Sequence, residues 1–127
     1  MRYHDQCPVQ VLGDGARPAI SVFRSASYTL LITLEPLERH AYGSQAFMAV
    51  AGDSVMVVVP PLARRSEPTM CAHSEHGRQS VNYHGGVWHH PMLALDCTGD
   101  LLVVDRTGPG NNCNERDLPE PIIVIAE

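Results

Sequence analysis

The chain has 127 residues, a formal net charge of −5, 44% hydrophobic residues and 18% charged ones, which suits one domain over residues 1–127 with a core that needs no disulfides. The mild acidity speaks against nucleic acid, which asks for a basic face, and no apolar run of about 18 residues is present to span a membrane. Met1-Arg2-Tyr3-His4-Asp5 lacks the apolar centre of a secretion signal, and Cys7, Cys71, Cys97 and Cys113 form no CxxC pair, so reduced thiols in a cytoplasmic protein are expected, with a disulfide or zinc framework as the minor alternative.

Taken in chain order, the pattern is almost wholly β. Pro18 to Arg24 alternates, setting Ile20 and Val22 against Ser21 and Phe23. Tyr28 to Leu34 is rich in β-branched and large apolar residues. Gln45 to Ala51 and Ser54 to Val59 are two apolar runs joined at Gly52-Asp53, a pair that signals a hairpin. Pro60-Pro61 ends the second run, since proline cannot donate into a ladder. Ala63 to Gln79 is polar and charged and reads as a loop or short helix. Val87 to Leu95, Asp100 to Val104 and Pro121 to Ala126 are the later strand candidates, with a turn at Thr98-Gly99-Asp100. Gly108-Pro109-Gly110-Asn111-Asn112 is a loop by composition. Many short strands with Gly/Pro turns predict an all-β sandwich or barrel, a jelly roll among the choices.

The chemistry concentrates in Tyr83-His84-Gly85-Gly86-Val87-Trp88-His89-His90-Pro91. This stretch holds three of the seven histidines and the only tryptophan. Histidine changes charge near neutral pH and is the commonest metal ligand. Two glycines allow a sharp turn or a close approach to a ligand.

Three blocks resemble the ureidoglycolate lyase family, once called ureidoglycolate hydrolases. They are Leu37-Glu38-Arg39-His40 with Gly43-Ser44-Gln45-Ala46-Phe47; Val81-Asn82-Tyr83-His84 through Val87-Trp88-His89-His90-Pro91; and Leu102-Val103-Val104-Asp105-Arg106 with Asn112-Cys113. The likeness runs over nearly the whole chain. It implies a cupin-type double-stranded β-helix, or jelly-roll barrel, that works as a homodimer on a small molecule. The implied reaction splits the C–N bond of ureidoglycolate into glyoxylate and urea, a step of purine and allantoin catabolism. Two departures stand out. Family members usually carry a further segment before Arg-Tyr-His-Asp, which begins here at residue 2. Gly85-Gly86 stands where bulkier residues are common, which would widen the pocket.

The resemblance also implies site residues. Cupin ligand positions fall on Glu38, His40, Gln45 and His89, a set for a divalent ion such as Ni, Zn or Mn. The opposing reading keeps those positions for hydrogen bonding, with no ion. His89, His84, Tyr83 and Arg106 are the catalytic candidates. Arg39, Gln45 and Trp88 are the substrate-binding ones, an arginine being able to grip a carboxylate with two parallel hydrogen bonds. Strand alternation, however, turns Arg39 away from Glu38 and His40. Asp105 and Asn112 are weaker candidates, and Cys113 has no histidine partner in sequence to make it a nucleophile. Two other readings remain open: a lyase on another carbinolamine adduct of a 2-oxo acid, and a non-catalytic cupin that binds a small carboxylate.

Overall fold

A computed structural model describes residues 8–51, 54–59, 70–75 and 80–125. The Arg2-Tyr3-His4-Asp5 start, the Gly52-Asp53 and Pro60-Pro61 pairs and much of 63–79 lie outside these residues. The described residues form ten strands: β1 (Arg17–Ser25), β2 (Ser27–Tyr28), β3 (Ile32–Arg39), β4 (Gln45–Ala51), β5 (Ser54–Val59), β6 (Met70–Glu75), β7 (Ser80–Tyr83), β8 (Leu93–Leu95), β9 (Gly99–Thr107) and β10 (Asn114–Val124). The described residues contain no helix, so the all-β class expected from the sequence holds.

Hydrogen bonding arranges the strands as a four-stranded sheet β1-β9-β4-β7, a second four-stranded sheet β2-β8-β5-β6 and the pair β10-β3. All pairings are antiparallel except β2 with β8. This layering is consistent with a cupin-like sandwich. The pairings among the described residues do not themselves close a barrel.

Alternation explains the layers. In β9, Leu101 and Val103 are buried while Leu102 and Val104 turn partly outward. Leu101, Val103, Phe47 of β4 and Tyr83 of β7 form one core cluster on the inner face of the first sheet. Ile32 and Leu34 of β3 form the other with Leu93 and Leu95 of β8. The alternation of β3 breaks after Leu34: Glu35 and Pro36 are both exposed and Leu37 is buried, beside the shift in the β3–β10 register.

Three expectations are corrected. The apolar runs flanking Gly52-Asp53 are not a hairpin: β4 and β5 lie in different sheets. Both edges of β4 are already taken, by β7 and β9, which leaves no edge for β5. The run Val87 to Leu95 is not one strand; only Leu93–Leu95 is, with a lone bridge upstream at His89. Pro91 has no N–H for a ladder, and the Gly85-Gly86 turn bends the chain just before. Part of 63–79 is neither loop nor helix, because Met70–Glu75 is strand β6.

Prolines sit where the ladder tolerates them. The β3–β10 register shifts between Asp117 and Ile122, and Pro119 and Pro121 fall in that irregularity, where no inter-strand N–H is needed.

Candidate metal centre and chamber

A reciprocal backbone bridge builds the site. Glu38 N–H donates to His89 O at 2.8 Å, and His89 N–H donates to Glu38 O at 2.9 Å. Residues paired this way across an antiparallel bridge project to the same face, and His40, two residues on, shares it. One carboxylate and two imidazoles therefore converge. Glu38 Oε1 lies 3.4 Å from His89 Nε2 and 3.7 Å from His40 Nε2. One ligand atom from each of the three lies within 4.8 Å of the others.

The second nitrogen of each ring fixes its orientation. His40 Nδ1 lies 3.2 Å from Asn112 O, and His89 Nδ1 lies 3.0 Å from Val87 O. A carbonyl oxygen only accepts, so both Nδ1 atoms carry hydrogen and both Nε2 atoms face the cluster. Neither Nε2, though buried, has a hydrogen-bond partner among the described residues. Distances of 3.4 and 3.7 Å are long for hydrogen bonds to a carboxylate. They approach the separation of neighbouring ligands around an ion with bonds of about 2.1 Å, roughly 3.0–3.4 Å. Two aimed imidazole nitrogens, each backed by a carbonyl, with a carboxylate between them, fit a divalent ion of the Zn, Ni or Mn kind.

The electrostatics agree with the geometry. His40, then His89, hold the Glu38 carboxyl down at about 2, from an ordinary 4.5, against the opposing effect of burial. The Glu38 carboxylate in turn raises His40 above its ordinary 6.5. Glu38 also lines a chamber of about 320 Å³, walled by Phe23, Tyr28, Phe47, Met92 and Leu101 among others. Of the three cluster residues Glu38 reaches this cavity, whose lining mixes apolar side chains with Arg24 and Ser25.

Tyr83 stacks flat on His89, with ring centroids 3.9 Å apart at 11°. Phe47 meets Tyr83 edge-on at 6.1 Å, and Phe23 meets Phe47 at 6.4 Å. The Tyr83 hydroxyl is turned to the Met92 sulfur at 3.8 Å, and burial, with the Glu38 charge, pushes its pKa up. Gln45 is buried, with Nε2 donating to Asp105 Oδ2 at 3.5 Å and Oε1 unpartnered.

The other sequence candidates lie apart. Arg39 and Arg116 both stand over the Trp88 ring, with their guanidinium carbons 4.7 and 4.3 Å from its centroid. Arg39 also donates to Asn114 Oδ1. Arg106 donates to Leu12 O at 2.8 Å and Pro109 O at 2.7 Å, binding backbone across two loops. Gly43 gives that side chain room, since a Cβ there would stand 2.7 Å from Arg106 Cβ. His84 is exposed. Its turn leans on the site, because Gly86 N–H donates to His40 O at 2.8 Å, and Gly86 takes a φ of +83° that glycine adopts freely. His90 is buried, with Nδ1 on Pro91 O at 2.7 Å, and burial lowers its pKa.

Sequence reasoning missed one neighbour. Cys113 Sγ lies 4.0 Å from Glu38 Oε2, and burial, with Glu38 and Glu115, raises its pKa. The pairing of Asn114 with Arg39 and Glu115 with Glu38 carries it there, a register that local pattern does not reveal.

The profile of the ureidoglycolate lyase family matches residues 1–125. The chain belongs to the ureidoglycolate lyase family. A ureidoglycolate lyase of Pseudomonas savastanoi pv. phaseolicola is 41% identical over 128 residues, covering 100% of this chain and 75% of that protein. One of Pseudomonas entomophila is 41% identical, covering 98% of this chain and 75% of its own length. One of Burkholderia mallei is 43% identical, covering 96% of this chain and 72% of its own.

The paired titrations give a pH signature in chelator-treated protein. Glu38 has a depressed pKa, so its contribution to stability is present above 4.5 and lost as pH falls toward about 2. His40 has a raised pKa, so its contribution is present below 6.5 and lost as pH rises through the raised value. Urea unfolding across pH should show the gap between wild type and Glu38→Gln widest between about 4.5 and 6.5, narrowing on both sides. A gap that does not change with pH would contradict this account.

Proposed function

We propose that this chain is a lyase that cleaves ureidoglycolate into glyoxylate and urea. The observation that carries the reading is the Glu38–His40–His89 cluster, with Glu38 in the wall of a chamber of small-molecule size, in a chain that belongs to a family named for this activity.

The substrate carbon bears a hydroxyl, a carboxylate and a ureido nitrogen. Its breakdown takes a proton from the hydroxyl oxygen. The electrons left on that oxygen form the glyoxylate carbonyl as the C–N bond breaks, and the leaving nitrogen takes up a proton to give urea. No covalent link to the protein is required.

Glu38, His40 and His89 would hold a divalent ion, with Gln45 as a further oxygen donor. Bound there, such an ion polarises hydroxyl and carboxylate oxygens and makes the hydroxyl proton easier to remove. A carboxyl held at about 2 is a poor proton acceptor at neutral pH, which supports a charge-holding role for Glu38. The apolar side chains Phe23, Phe47, Met92 and Leu101 in the chamber wall lower the local dielectric beside Glu38 and strengthen its field. Tyr83 serves as the platform that fixes the His89 ring. His84, exposed on a turn tied to His40 through Gly86, is kept as the candidate proton carrier on the family resemblance. The guanidinium contacts of Arg106 and Arg39 support structural roles for both, and Trp88 is the surface on which Arg39 rests.

We further propose a homodimer in the cytoplasm. Ile20 and Val22 of β1 and Met48 and Val50 of β4 are exposed at positions alternate to the chamber-lining Phe23 and the buried Phe47, an apolar face that a second copy would cover. Cys97 and Cys113 are free thiols, which suits a reducing compartment. No helix among the described residues is long and apolar enough to cross a membrane.

An assay of purified protein with ureidoglycolate, reading urea and glyoxylate together with and without chelator, tests the activity. Both products should appear in equal amounts and fall when metal is removed. His89→Ala should lose metal and about 100-fold or more in kcat. Tyr83→Phe, which keeps the stacked ring, should stay close to wild type, and His84→Ala should keep its metal while slowing. A folded His89→Ala protein with full activity would contradict the site. Sedimentation at micromolar concentration should read a dimer that Val22→Glu converts to monomer; wild type sedimenting as monomer alone would overturn the assembly.

A further inference from the structure

Gln45 is held between two neighbours of different chemistry. On one flank, the β4–β9 register pairs Ala46 with Val104, so the next step sets Gln45 opposite Asp105. On the other flank, Gln45 pairs with Tyr83, whose ring carries the His89 imidazole at 3.9 Å. Gln45 is only 5% exposed. Its Nε2 lies 3.5 Å from Asp105 Oδ2, and its Oε1 is buried with no partner among the described residues.

An ionised carboxylate accepts hydrogen bonds and donates none. Asp105 therefore selects one of the two amide orientations. The N–H side of Gln45 faces Asp105, and the oxygen is left on the other side, where Tyr83 and His89 lie. The reverse orientation would press an amide oxygen against a carboxylate oxygen and turn N–H donors toward the cluster, where a cation cannot use them.

From this arrangement, which rests on the metal reading above, we propose that Asp105 is a positioning residue that locks the Gln45 amide with its oxygen toward Glu38, His40 and His89. The completed set is two imidazole nitrogens, one carboxylate oxygen and one amide oxygen, a borderline-to-hard donor set suited to Zn, Ni or Mn. Outer residues that orient ligands in this way typically change metal affinity by about 10- to 100-fold.

A competing route has to be separated. The Asp105 charge also reaches His40, so Asp105 could raise cation affinity by charge alone, without Gln45. Zn²⁺ titration of chelator-stripped wild type, Asp105→Ala, Gln45→Ala and the double variant distinguishes the two, with Co²⁺ absorption reading the coordination geometry of each. Positioning predicts that Asp105→Ala weakens binding by about 10- to 100-fold, and that adding it to Gln45→Ala costs nothing more. Should Asp105→Ala fail to fold, Asp105→Asn takes its place. Its amide can present either a donor or an acceptor to Gln45, so it should fall between wild type and Gln45→Ala. Wild-type affinity in the Asp105 variants, or a full loss repeated on the Gln45→Ala background, would overturn this inference alone. A wild type that takes up no divalent cation would overturn the metal reading and this inference with it.

Discussion

The paired hydrogen bonds between the Glu38 and His89 backbones are the constraint on which the site depends. They join β3 to a segment that is otherwise outside any sheet. Without them, Pro91 and the Gly85-Gly86 turn would leave His89 without a fixed direction. With them, the side chains at 38 and 89 must emerge on the same face, and alternation brings His40 alongside. The carbonyls of Val87 and Asn112 then fix both rings, so the ligand atoms are aimed before any ion arrives. Such preorganisation reduces the entropy lost on binding.

The same arrangement has a cost. Two buried imidazole nitrogens face a carboxylate without hydrogen bonds to any of the described residues, and polar atoms buried in this way destabilise a fold by about 1–3 kcal/mol each. The aromatic series Phe23–Phe47–Tyr83–His89 supplies the rigid packing against which that strain is held. An ion held there would satisfy both nitrogens and so couple its uptake to stability.

Much of the fold was legible because its causes are local. The apolar runs of β1, β4 and β9 mark strands directly, but the alternation of Ile20 and Val22 in β1 faces outward, and of β10 only the part from Pro121 onward was legible. The identities of Glu38, His40 and His89 as a group came from resemblance, and parity alone joined the first two. What stayed hidden depends on strand neighbours. The Gly52-Asp53 signal suggested a hairpin, yet the order β9-β4-β7 closes both edges of β4. Asp105 and Cys113 approach the site through registers that pair residues 60 and 75 positions apart. Arg106 looked like a carboxylate anchor, but a guanidinium binds backbone oxygens as readily, and Leu12 O and Pro109 O are its partners here.

The central claim is that Glu38, His40 and His89 hold a divalent ion at the chamber wall. X-ray absorption of the Zn²⁺-loaded protein tests it most directly. The account predicts a nearest shell of nitrogen and oxygen only, at about 2.0–2.2 Å, with the outer-shell scattering of two imidazoles. A sulfur shell at about 2.3 Å, or a spectrum without imidazole scattering, would contradict it.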